Sequence, residues 1–128
     1  ANIVNIGNDI TIVTWGAIVQ KSIEAVNNTG ISAEIIDLRT LNPLDIDTII
    51  NSIKKTNRVL VAHEDNVTNG FGAEIVSQIT ELGFEYLDAP IKRVASKDSP
   101  VAYSSVLETE LLVQTSWLEI ALKELIDY

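Results

Sequence analysis

The single histidine of the chain, His63, is followed by two acids, Glu64 and Asp65, and then by a glycine pair, Gly70 and Gly72. These residue types suggest two chemistries. An imidazole that titrates near neutrality can move protons. Glycines that open a helix can bring free amides, and the positive end of the helix, to a phosphate. The spacing weighs against both. A dinucleotide fingerprint needs a third glycine where Ile75 stands, and Walker A needs a Gly-Lys-Ser/Thr that the chain lacks. Glu64, Asp65 and Glu74 would crowd a phosphate with like charge. The favoured reading is a tight turn into a helix that packs closely on a sheet, with glycine required for backbone approach. One histidine without a cysteine makes a poor metal site, so His63 reads first as a hydrogen-bonding post at a strand end. Asp37 and Arg39 bracket Leu38 and can form an ion pair in or near an interface. Thr14-Trp15-Gly16 stands where a phosphate-accepting receiver would need acids. No Gly-x-Ser-x-Gly elbow offers a serine nucleophile.

The elements that must position these residues are legible from periodicity. ITIVT (10–14), AEIIDL (33–38), VLVA (59–62) and IKRVA (91–95) are β-rich runs suited to strands, and residues 3–6 can add an edge strand. Between them lie stripes at helical spacing: Ile46, Ile49, Ile50 and Ile53; Gly72, Ile75, Val76 and Ile79; Leu118, Ala121, Leu122 and Leu125. Asp45 reads as the N-cap of the first stripe. Ser116 and Glu119 read as a capping box opening the last. A further helix over 17–26 completes the set. Alternating strands and helices predict an α/β domain with a largely parallel sheet and helices on both faces, a three-layer α/β/α sandwich. His63 then stands at the carboxyl end of a strand, where such folds place ligands.

Composition bounds the rest. The chain has 128 residues, one domain's worth, and 46% of them are apolar. Eighteen acids face nine basic residues, a formal charge of −9. That balance disfavours nucleic acid and anionic lipid and suits a basic protein partner. Lys54-Lys55 reads as a helix end and Lys92-Arg93 as part of a strand. No run reaches the ~20 apolar residues that span a bilayer. The absence of cysteine accords with a cytoplasmic protein. The chain contains no methionine and begins at Ala1, so we expect one domain, 1–128, excised from a longer chain.

Four segments together resemble a known family: "DITIVTWGAIVQKSIEA" (9–25), "AEIIDLRTLNPLDIDTII" (33–50), "HEDNVTNGFGAEI" (63–75) and "LDAPIKRVASKDSPVAYS" (87–104). They are similar to the C-terminal domain of transketolase-type enzymes, above all to the beta subunit, or beta half, of the thiamine diphosphate-dependent component of 2-oxo acid dehydrogenase complexes. The resemblance covers nearly the whole chain, and residues 37–45 are its most specific part. It implies a five-stranded sheet in the order 1-3-2-4-5 with the first strand antiparallel. In that order the crevice falls between strands 2 and 4, near Trp15-Gly16 and His63-Glu64.

The resemblance also implies a division of labour. The parent would decarboxylate a 2-oxo acid, of pyruvate or branched-chain type, and pass the acyl group to lipoyl. Thiamine diphosphate and magnesium would be held by other domains, with none in this chain alone and no catalytic residue here. This domain would help assemble subunits, with Trp15, His63, Glu64 and Phe71 at an interface or crevice. In the pyruvate branch it would also dock the dihydrolipoyl acyltransferase core. The acid before Ala-Pro, Asp88, and the terminal carboxylate, carried here by Tyr128, would then face basic residues. A plain alternative makes Asp88 a cap at the entry to a strand. Exposed Trp15, Phe71 or Trp117 would mark contacts with the rest of the parent. The alternatives are the same domain of another transketolase-like enzyme, a free-standing α/β module that binds a small ligand near Trp15 and His63, and direct catalysis by His63.

Overall fold

In the computed structural model, residues 1–66, 70–96 and 112–128 are described. Residues 97–104 of the last family-like segment and 67–69 of the third lie outside them. The strands are β1 (Asn2–Asn5), β2 (Ile10–Thr14), β3 (Ala33–Asp37), β4 (Val59–Asn66) and β5 (Lys92–Ser96). The described helices are α1 (Ile18–Thr29), α2 (Ile46–Thr56), α3 (Phe71–Gly83) and α4 (Thr115–Ile126), with a 3₁₀ turn at Phe84–Tyr86. The five strands form one sheet in the order β1-β3-β2-β4-β5. β1 runs antiparallel to β3, and the other pairs are parallel. Among the described residues no helix is long and apolar enough to cross a membrane.

The strands alternate, and the alternation divides the core. Ile10 and Ile12, Ala33 and Ile35, and Leu60 and Ala62 point to one face and join the apolar stripes of α1 and α4. Val13, Ile36, Val59 and Val61 point to the other and meet Ile49 and Ile53 of α2 and Ile75 and Ile79 of α3. Successive side chains of a strand leave on opposite faces, so a central strand such as β2, buried at every position, needs helices on both sides. Each fully buried Ile or Leu contributes roughly 1.5–3 kcal/mol.

Of the two helix starts with a cap expected from sequence, one forms it and one does not. Asp45 caps α2, its Oδ1 accepting from the Thr48 amide at 3.2 Å and its Oδ2 from the Thr48 hydroxyl at 2.7 Å. The Thr48 hydroxyl, and after it the Thr48 amide, hold this carboxyl below its ordinary 3.8. The cap is therefore intact above that value and fades as pH falls through the lower, folded one. Asp45→Ala is expected to cost about 1 kcal/mol in urea unfolding at neutral pH, and less in acid. The exception is the capping box expected at Ser116. α4 starts two residues earlier than that cap requires, at Thr115, and Gln114 occupies the cap position with no side-chain bond. Ser116 thus lies inside the first turn, where its hydroxyl no longer stands at the cap position.

Several strand ends differ from their periodicity: β1 and β5 each lie one residue off the runs 3–6 and 91–95, at Asn2–Asn5 and Lys92–Ser96. β3 ends at Asp37 rather than Leu38, and Arg39, two residues on, stands at φ 58. β4 runs past Ala62 to Asn66 because its pairing with β5 is irregular: Ala62 pairs with Val94, but Asn66 pairs with Ser96. The extra residues bulge out of the ladder, as bulges do where a side chain is re-aimed. The Ser96 hydroxyl donates to the Glu64 carbonyl within that stretch.

Candidate functional site

Two places collect the residues expected to matter. The first is the carboxyl edge of the sheet between β2 and β4. Connections from β2 lead to one side and β4 lies on the other, so this is the switch point of the fold. Thr14 pairs with Ala62, and Trp15 and His63 are the next residues on each strand. Alternation sends both toward the α2–α3 face, where Val13 and Val61 already point. There the Trp15 and His63 rings stack, with centroids 5.1 Å apart and planes 7° from parallel. Phe71, the first residue of α3, meets Trp15 edge-on at 6.3 Å and 83°. His63 is fully buried, whereas Trp15 and Phe71 are half-buried and Glu64 is exposed.

Gly72 explains how the ring fits. A Cβ at this position would lie closer than 3.0 Å to both Nε2 and Cδ2 of His63. The glycine is therefore needed for close approach, as its sequence context indicated, but what approaches is the imidazole. The space that an anion would need against the first turn of α3 is occupied by the protein's own ring. Trp15 and Phe71 are not the exposed surface expected from sequence, because each packs on its neighbours here. Trp117 is likewise half-buried, against the α1–α4 core. The large apolar side chains that do stand exposed include Phe84, Tyr128, Ile3 and Ile6.

The second place is a groove of about 460 Å³ at the opposite, amino edge of β5. Asp88 and Tyr128, separated in the chain by β5 and the whole of α4, line it together with Phe84, Leu87, Pro90 and Ile91. The floor is apolar, Asp88 is exposed, and Phe84 is 71% and Tyr128 69% exposed. Sequence reading missed Phe84 and Leu87. Their signal lay in Gly83-Phe84-Glu85-Tyr86-Leu87, where two aromatics follow a helix-ending glycine without helical or strand periodicity.

Asp37 and Arg39 do meet, at 3.9 Å between Oδ2 and Nε, with the arginine largely in solvent. Such a pair contributes little. Elsewhere the α2 face buries a polar chain. Glu34 Oε1 accepts from Lys55 Nζ at 2.6 Å, and the Ser52 hydroxyl also bonds the carboxylate. Ser52 Oγ and Thr56 Oγ1 each stand 2.7 Å from Thr11 Oγ1. Burial, the largest influence, pushes the Glu34 carboxyl up. The bonds from Lys55 and Ser52, the Lys55 charge and the Gly7 amide together outweigh it and bring the carboxyl below its ordinary 4.5. Among the described residues, no group of three or more His, Cys, Asp or Glu gathers as a metal site.

Comparison with known proteins supplies what the geometry alone does not. The family described as "Transketolase, C-terminal domain" matches residues 1–117. The beta subunit of the pyruvate dehydrogenase E1 component of Dictyostelium discoideum is 46% identical over 112 residues, 85% of this chain and 32% of that protein. Its Rickettsia conorii counterpart is 44% identical over 131 residues, covering all of this chain and 40% of that protein. The beta subunit of 2-oxoisovalerate dehydrogenase from Pseudomonas aeruginosa is 47% identical over 104 residues, 81% of this chain and 30% of that protein. The chain thus spans 30–40% of the length of these relatives. Among solved structures, a split-gene transketolase, described as an inactive beta4 tetramer, superposes with a TM-score of 0.81 at 23% identity, over 98% of this chain and 41% of that one. That likeness is one of fold.

Proposed function

The chain belongs to the transketolase C-terminal domain family, and from this premise we propose that it is the C-terminal assembly domain of a 2-oxo acid dehydrogenase beta subunit or beta half. The observation that carries the reading is identity of 44–47% to beta subunits of pyruvate and 2-oxoisovalerate dehydrogenases. The parent enzyme oxidatively decarboxylates a 2-oxo acid and transfers the acyl group to lipoyl. Residues 1–128 form one domain of it. Thiamine diphosphate and magnesium are held by other parts of the enzyme. Supporting this, the His63 ring fills the space that a diphosphate would need at the first turn of α3. The stacked rings of Trp15 and His63 speak against an open small-ligand crevice, and the burial of His63 against direct catalysis. Trp15, Phe71 and Glu64 border a surface toward the rest of the enzyme. The reading serves a cytoplasmic enzyme as well as a mitochondrial one, since bacterial relatives stand beside relatives named as mitochondrial.

The groove is the docking face for the dihydrolipoyl acyltransferase core. Its apolar floor beside a single acid suits a basic partner segment with an apolar side, and the chain's charge of −9 would speed capture. Asp88→Asn in the assembled enzyme tests this. Covering the groove would desolvate the acid, and losing one partner of a desolvated pair costs about 2–5 kcal/mol. Core affinity should therefore fall by more than tenfold and depend less on salt, while decarboxylation with a free electron acceptor continues. Unchanged affinity would remove Asp88 from the docking face.

A further inference from the structure

We infer that Asn57 is the positioning residue of the Asp88 groove, a role that rests on the docking reading above. Asn57 ends α2 in the left-handed conformation, φ 63, its amide donating to Ile53 O at 2.8 Å. Glycine is the ordinary choice for that backbone, and Gly30 fills the same place after α1 at φ 69. An asparagine at such a position accepts the conformational cost that glycine avoids, which points to work for its side chain.

That work is visible. Asn57 Nδ2 donates to the Tyr86 carbonyl at 2.6 Å, and the Asn57 carbonyl accepts from the Asp88 amide at 2.8 Å. One residue therefore grips the backbone on both sides of Leu87, a groove-lining residue. One turn back along α2, Lys54 Nζ lies 5.4 Å over the Tyr86 ring. A Cβ on Gly83 would come 2.9 Å from Ile50 Cδ1, so the loop's entry is pressed on the same helix. Segment 83–88 is thereby tied to α2 from both sides of Leu87.

Asn57→Gly in the assembled enzyme isolates the side chain, because glycine keeps the left-handed cap and the carbonyl. Two readouts are taken: hydrogen exchange at the Asp88 amide, and affinity for the dihydrolipoyl acyltransferase core. The expected result is about tenfold faster exchange at Asp88 with unchanged protection of the position-57 amide, which donates the cap bond to Ile53 O, and about three- to tenfold weaker core binding, the worth of one hydrogen bond. In an Asp88→Asn background the same substitution should cost no further affinity, because it acts through Asp88. Unchanged exchange at Asp88, or a full affinity loss persisting in that background, would overturn the role. If Asp88→Asn alone leaves core affinity intact, the docking reading fails. Exchange at Asp88 then decides by itself: acceleration upholds the bracket, and no change refutes it.

Discussion

Gly72→Ala should destabilise the chain by about 1–3 kcal/mol or more, the cost of forcing extra volume into a packed site. The added methyl would press on Nε2 and Cδ2, one edge of a fully buried imidazole whose face stacks on Trp15. The ring cannot retreat without breaking the stack, and α3 cannot retreat without losing Ile75 and Ile79 from the core. The same reasoning predicts a rescue. In a His63→Ala background the methyl finds open space, so Gly72→Ala becomes neutral or slightly stabilising, since alanine restricts the unfolded chain. Urea unfolding of the two single variants and the double variant closes the cycle. An equal cost in both backgrounds would show that His63 is not what excludes the side chain.

The second large effect concerns Glu34. Lys55→Ala leaves a carboxylate whose side chain is only 5% exposed without its 2.6 Å partner. Breaking a fully buried pair costs about 3–5 kcal/mol. Lys55 is partly in solvent, so a loss of roughly 2 kcal/mol at pH 7 is expected. The pH dependence identifies the cause. In the natural chain the folded Glu34 carboxyl lies below 4.5. Its contribution is complete above that value and is lost as pH falls through the folded one. Without Lys55, two of the influences that lower the carboxyl are gone while burial remains, so its folded value rises toward or past the ordinary one. The variant's deficit should then be largest at neutral pH and shrink toward pH 4, where a protonated Glu34 needs no counter-charge. A deficit that stays constant from pH 7 to pH 4 would place the effect elsewhere, for example in the helix end that Lys55 occupies.

Much of this was readable beforehand, for a physical reason. Strand and helix periods are local, so the runs 10–14 and 59–62 and the stripe Ile46-Ile49-Ile50-Ile53 marked their own elements and buried faces. The Asp45 cap was legible because its bond spans only three residues. The capping box at Ser116 misled because a Ser-x-x-Glu spacing marks only a possible cap, and the helix begins ahead of it, at Thr115. β4 could not be followed past Ala62, since its continuation depends on a bulge against β5, more than thirty residues away.

The candidate sites divide in the same way. The sequence by itself determined the residue types available: one histidine, a glycine pair before a helix, an acid ahead of Ala-Pro, and an acidic balance. Tertiary structure decided what they touch. It stacked Trp15 on His63, gave Gly72 its reason, and brought Asp88 and Tyr128 to one groove bracketed by Asn57. Local order is written in neighbours along the chain. A site is written in neighbours across the sheet, and those exist only once the strands have paired.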